Sequence, residues 1–202
     1  MGICYIVGAG DFSCPFSPKD DDLVIAADGG YDHLVKFGIR CDVLLGDLDS
    51  IKEVPADVRT VRFPVRKDET DTYLAYHEGV NLGYKIFYIY GGTGGREDHT
   101  FANYCLLLKA KDDKNSAILI SDKAKVSLIK NEKITLNGTC GKHLSLFPFG
   151  SDAEGVTVKG AEYECENELL KTNFPLAVSN IFRDSPVNIE VKSGALLVME
   201  EI

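Results

Sequence analysis

Apolar positions fall into two textures along the chain. Up to about residue 122, short apolar runs alternate with helical periods. Residues 3–7, 23–27, 43–45, 85–90 and 117–120 read as short buried strands. Between them, Tyr31, Leu34 and Val35 recur at helical spacing and stop at Gly38. A second helical pattern starts near Thr70 and carries Tyr73, Tyr76 and Val80, and a third shows Phe101, Tyr104, Cys105 and Leu108 at i, i+3, i+4 and i+7. Such alternation predicts an α/β fold, a mostly parallel sheet with flanking helices in Rossmann-like layers.

From about residue 123 the helical period disappears. Residues 126–129, 143–147, 155–158, 187–191 and 195–199 read as short strands, with Gly, Asn, Asp, Ser and Pro clustered between them. That texture predicts a smaller β-sandwich or barrel. The expected division is therefore 1–122 and 123–202, with no Pro/Ser-rich linker to mark the boundary.

Composition narrows the functional classes. The chain has 202 residues and a net charge of −9, so a general nucleic-acid or anionic-membrane binder is not expected. A chain this acidic binds phosphates through local donors or through metal ions held by its carboxylates. No apolar run approaches bilayer-spanning length. The start, MGICYIVGAG, has no basic region and reads as a first buried strand rather than a signal peptide. Ile6 stands where a myristoylation motif wants Ser or Thr. The six cysteines show no C-x-x-C pairing and suit free thiols in a reducing cytoplasm.

Four segments place glycines and polar residues at the carboxyl ends of expected strands, the edge where open α/β sheets bind ligands. In Ala27-Asp28-Gly29-Gly30, Asp28 stands at a strand tip, and the helix that follows offers free N–H groups; a capped tight turn explains the same residues. Gly46-Asp47-Leu48-Asp49-Ser50 puts two carboxylates after an apolar strand, a pattern suited to Mg²⁺ and substrate phosphates. Lys67-Asp68-Glu69-Thr70-Asp71 reads as a helix start with Thr70 as N-cap, and a site can coexist with that cap. In Gly91-Gly92-Thr93-Gly94-Gly95-Arg96-Glu97-Asp98-His99, the glycine amides can cradle phosphate with Arg96 as a forked donor. It is not a Walker A loop. Gly8-Ala9-Gly10 reads as a loop near a nucleotide, and the four histidines form no metal-ligand set.

Taken together, ADGG, GDLDS, KDETD and GGTGGREDH in this order, with Asn103 shortly after, resemble the signature of the thiamine pyrophosphokinase family. The carboxyl-terminal half is similar more faintly, through residues 158–163, Phe174-Pro175-Leu176 and Ser179-Asn180. Ile181 stands where the family has Glu.

The resemblance implies an amino-terminal catalytic domain and a carboxyl-terminal β-sandwich for thiamine binding and dimerisation. It implies a cytoplasmic homodimer that converts thiamine and ATP to thiamine diphosphate and AMP with Mg²⁺. In that reading Asp47, Asp49 and Asp71 hold the metal and serve catalysis, with Asp71 the choice for accepting the hydroxyl proton. Asp28, Gly29, Lys67, Asp68, Thr70, Gly92, Gly94, Gly95, Arg96 and Asp98 bind nucleotide or phosphate, and Ser179 and Asn180 contact thiamine. Two alternatives stand beside it: a thiamine or nucleotide sensor without turnover, and an aspartyl-phosphate phosphatase with Asp47 as nucleophile.

Overall fold

The structure, a computed structural model, describes residues 2–48, 56, 58–64, 68–183 and 186–202. The chain divides into two compact units, Met1–Asp122 and Lys123–Ile202.

The first unit holds β1 (Cys4–Val7), β2 (Leu23–Ala27), α1 (Gly30–Phe37), β3 (Val43–Gly46), β4 (Arg59–Arg62), α2 (Asp71–Asn81), β5 (Ile86–Tyr90), α3 (Glu97–Asp112) and β6 (Ser116–Ile120). Its strands run in the order β6-β5-β1-β2-β3-β4, every pair parallel. Each of the five residues of β2 is buried, as both covered faces of a parallel sheet require. On one face α2 lies so close that a Cβ at Gly79 would stand 2.7 Å from the Phe87 ring and 2.8 Å from Cys4 Sγ. On the other face Leu34 of α1 joins Tyr5, Val7, Val24 and Leu44 in one apolar cluster.

Two features depart from the sequence pattern. The buried face of α3 is Asn103, Leu106, Leu107 and Ala110, whereas Phe101 is 60% exposed. Both sets of positions have the same i, i+3, i+4, i+7 spacing, and the polar Asn103 disguised the inward one. The β1–β2 connection contains no helix. Its side chains cover the sheet instead: Phe16 stacks on Tyr5 at 4.2 Å and on Tyr90 at 4.8 Å, and Phe12 meets Phe37 edge-on at 5.3 Å.

The second unit is a β-sandwich. Strands β7 (Ala124–Lys130), β9 (His143–Pro148), β12 (Asn180–Ile181) and β14 (Ala195–Glu201) pair antiparallel in the order β12-β9-β14-β7. The facing sheet is β8 (Lys133–Leu136), β10 (Ala153–Lys159), β11 (Cys165–Leu170) and β13 (Val187–Glu190), in the order β11-β10-β13-β8. Leu144, Leu146, Leu196 and Val198 from one sheet meet Val156, Val158, Val187 and Ile189 from the other. Phe182, 1% exposed, fills the same core.

Candidate active site

The strand order creates the crevice. β1 and β5 are neighbours, yet the chain leaves β1 toward β2 and leaves β5 toward β6. Their connections diverge, and the carboxyl edge between them is the topological switch point where open α/β sheets bind ligands.

Backbone hydrogen bonds zip the two loops that leave this point. Gly8 N donates to Tyr90 O, Gly10 N to Gly91 O and Asp11 N to Thr93 O, each over 2.8 Å. Glycine is required for that approach. Gly91 has φ +60°, and a Cβ there would stand 2.2 Å from the Gly8 carbonyl. Beside the zipped loops opens a cleft of about 290 Å³, lined by Gly10, Gly92, Gly94, Gly95, Arg96 and His99, with Thr72 and Asn103 on its helical walls. Asn103 is 4% exposed, and its Nδ2 donates to the Gly92 carbonyl over 2.7 Å.

Of the six expected acids, five are described: Asp28, Asp47, Asp68, Asp71 and Asp98. Asp28 follows β2 with φ +48°, and its N–H donates to Leu45 O over 2.7 Å. Asp47 follows β3 on the same carboxyl edge. A Cβ at Gly46 would stand 3.2 Å from the Asp28 Cβ, so the Asp28 stem lies against the backbone leading to Asp47. Asp71 opens α2 immediately before the cleft-lining Thr72, while Thr70 caps the helix by accepting from Tyr73 N over 3.2 Å. Asp68 lies exposed just before that cap, and Gly29 is the N-cap of α1. Asp49 and Lys67 lie outside the described residues.

Among the described residues no three His, Cys, Asp or Glu side chains form a ready cation cage. The donors present nevertheless fit Mg²⁺. Asp28 and Asp47 offer hard carboxylate oxygens on one strand edge, and this ion takes one or two protein carboxylates, with substrate oxygens and water completing its shell.

Arg96 is exposed at the rim and tied to Asp98, with Nε to Oδ1 at 3.1 Å and Nη2 to Oδ2 at 2.6 Å. That hydrogen bond holds the Asp98 carboxyl below the ordinary range and raises the guanidinium. Asp98 therefore orients the arginine, whose remaining N–H groups are available to an anion. His33 Nε2 stands 2.8 Å from the Gly10 carbonyl and steadies the first loop from beneath.

Ser179 and Asn180 belong to the second unit. Ser179 is exposed, with φ +59°, and its N–H donates to Ser145 Oγ over 3.0 Å. Asn180 is 7% exposed. Its Nδ2 donates to Tyr163 O over 2.7 Å, and its Oδ1 accepts from Tyr163 N and Ile181 N over 2.9 and 2.8 Å. It clamps the segment beside a cleft of about 430 Å³ lined by Tyr163, Glu164, Glu168, Leu176 and Val178. An apolar cleft with two carboxylates suits a flat organic cation.

Gly92, Gly94, Gly95 and Arg96 thus come together around one cleft, and Asp28 and Asp47 share one strand edge. Thr72 was not singled out from sequence, although its place directly after Asp71 was the available signal.

Comparisons with known proteins identify the family and the fold. Residues 18–120 match the family model "Thiamin pyrophosphokinase, catalytic domain", and residues 128–196 match "Thiamin pyrophosphokinase, vitamin B1 binding domain". The chain is 27% identical over 186 residues to a thiamine pyrophosphokinase of Bacillus subtilis, covering 88% of this chain and 86% of the relative. The fold is similar to a solved thiamine pyrophosphokinase from Bacillus subtilis, with TM-score 0.87, 24% identity and coverage of 100% of this chain and 99% of that one. It is similar too to one from Geobacillus thermodenitrificans, with TM-score 0.82, 24% identity and coverage of 99% and 97%.

Proposed function

The chain belongs to the thiamin pyrophosphokinase family, and from that premise we propose that its zipped glycine cleft transfers pyrophosphate from ATP to the thiamine hydroxyl. The observation that carries the reading is the Gly92–Arg96 loop, closed on Gly8–Asp11 at the switch point. The backbone of Gly92, Gly94 and Gly95 and the Arg96 side chain line a cleft of about 290 Å³, in a chain of net charge −9.

In this reaction the thiamine hydroxyl oxygen bonds to the β-phosphorus. The bond from that phosphorus to the α–β bridging oxygen breaks, and AMP leaves with that oxygen. Transfers of this kind depend on positioning and charge neutralisation more than on covalent help from protein. Arg96 and the amides of Gly92, Gly94 and Gly95 steady phosphate oxygens, and Asp98 keeps Arg96 aimed. Asp28, Asp47, Asp49 and Asp71 would hold Mg²⁺, which when bound neutralises the polyphosphate. Asp71 accepts the hydroxyl proton. Asp68 and Thr70 form the nucleotide side of the α2 entrance, and Gly29 the entrance of α1; Lys67, outside the described residues, is a further phosphate contact by its charge.

Thiamine binding falls to Ser179 and the segment clamped by Asn180. The neighbouring Tyr163, Phe174 and Leu176 are exposed by 67%, 59% and 56%, which supports a homodimer that covers them. Six free cysteines suit a cytoplasmic enzyme. The net charge of −9 speaks against nucleic-acid or anionic-membrane partners.

The test is AMP release from ATP and Mg²⁺ with and without thiamine. Thiamine-dependent AMP with matching thiamine diphosphate supports the reading. ADP in place of AMP, or thiamine-independent hydrolysis, would overturn it. Tight ligand binding without turnover would favour a sensor, and a phosphoaspartate trapped at Asp47 a phosphatase.

A further inference from the structure

A second cavity adjoins the phosphate cleft. It measures about 460 Å³ and shares Ala9, Gly10 and Gly95 with the first. Its remaining walls are Asp11, Phe12, Ser13, His33 and Asp122. The two spaces are chemically opposite. One offers glycine amides and a guanidinium. The other offers two carboxylates, a hydroxyl and an imidazole, and among the described residues no Lys or Arg lines it. An anion is attracted to the first and repelled by the second, whereas hydroxyl and amine donors suit the second.

From this we infer that the second cavity receives the nucleoside half of the donor nucleotide, and that Asp11 is a specificity-determining residue accepting hydrogen bonds from the ribose hydroxyls. The inference rests on the reading of the chain as an ATP-dependent pyrophosphokinase and adds the residue that recognises the sugar.

The placement of Asp11 is built into the loops. Its N–H is fixed to Thr93 O over 2.8 Å. Its carboxylate lies against the bare Cα of Gly94, where a Cβ would stand 2.2 Å from Oδ2 and 2.7 Å from Oδ1. Gly94 has φ +80°, so the same residue supplies the turn and the space. His33 holds Gly10, the saddle between the cavities, and tilts against Phe12 at 5.4 Å. A triphosphate in the first cleft and a sugar in the second are thus joined across Gly10 and Gly95. An ionised acceptor for sugar hydroxyls is a recurring device in nucleotide sites on this sheet architecture.

The experiment is a calorimetric titration of the full chain with Mg²⁺ and either ATP or 2′,3′-dideoxy-ATP, without thiamine. The dideoxy nucleotide is expected to bind at least about tenfold more weakly, as loss of hydrogen bonds to a charged acceptor implies. Asp11→Ala is expected to weaken ATP to that level and to leave the dideoxy nucleotide unchanged within about twofold. Equal binding of both nucleotides by the unaltered protein overturns the inference without recourse to any variant. So does an Asp11→Ala protein that keeps the preference for ATP. Hydroxyl-dependent ATP binding without thiamine-dependent AMP would sink the pyrophosphokinase reading and leave the sugar site standing.

Discussion

Asn103 Nδ2 donates to the Gly92 carbonyl over 2.7 Å, and both residues are buried. The inward face of α3 therefore fixes the glycine loop from behind through one amide. Asn103→Ala leaves that carbonyl without its donor, a loss of about 1–3 kcal/mol. The variant is expected to unfold at lower denaturant and to show a raised KM for ATP with the KM for thiamine little changed. Denaturant melts and steady-state kinetics check both halves, and an unchanged KM for ATP would reduce Asn103 to a packing residue.

Asp71 and Thr70 divide two tasks at the start of α2. Thr70 supplies the cap, and Asp71→Asn removes a charge at the helix start, worth about 0.3–1 kcal/mol. Turnover is expected to fall about a hundredfold or more while the far-ultraviolet circular dichroism stays native. Near-normal kcat would remove Asp71 from the mechanism.

Gly79 permits the close seat of α2 on the sheet. Gly79→Ala pushes a methyl toward Phe87 and Cys4, at 2.7 and 2.8 Å. Overpacking of this kind costs about 1–3 kcal/mol. A lowered melting temperature with unaltered KM values is the expected result; a stabilised protein would show that α2 shifts freely.

Glu201 gives the second unit a pH signature. The His143 N–H, the His143 ring and Lys142 all bind its carboxylate, holding it at about 2 against an ordinary 4.5. A carboxyl depressed on folding stabilises the native state above its unfolded value and loses that contribution as pH falls through its folded value. The contribution is present above about 4.5 and fades toward about 2. Melting temperatures of the unaltered protein and Glu201→Gln should converge across that window on acidification. A constant gap would assign the effect to packing.

Ser179→Ala is expected to raise the KM for thiamine more than that for ATP. Equal changes in both would undo the assignment of this segment to thiamine.

Much of the cleft was legible because strand tips and glycine runs are local signals. Asp28, Asp47 and the Gly91–Arg96 loop each follow an apolar run of the right length, and Thr70 shows its cap chemistry in one residue type. Sheet order is not local, so the juxtaposition of Gly8–Asp11 with Gly91–Gly94 could be read only as a vague proximity. The face of α3 was misread because Asn103 breaks the apolar stripe while serving the site. β4, β8 and β11 escaped notice for a different reason. The burial of β11 is one residue in six, and strands with that little apolar patterning look like loops.

The pairing of Gly10 with Gly91 carries a kinetic consequence. It joins loops far apart in the sequence of the first unit and exists only after β1 has found β5. A nascent chain that has completed β1 through β4 can assemble four of the six strands and still present no cleft. Contacts so distant in sequence form slowly and close to the end of folding. Nucleotide therefore has nothing to grip on a partly folded chain, and it acts on the finished fold alone, slowing its opening rather than hastening its birth.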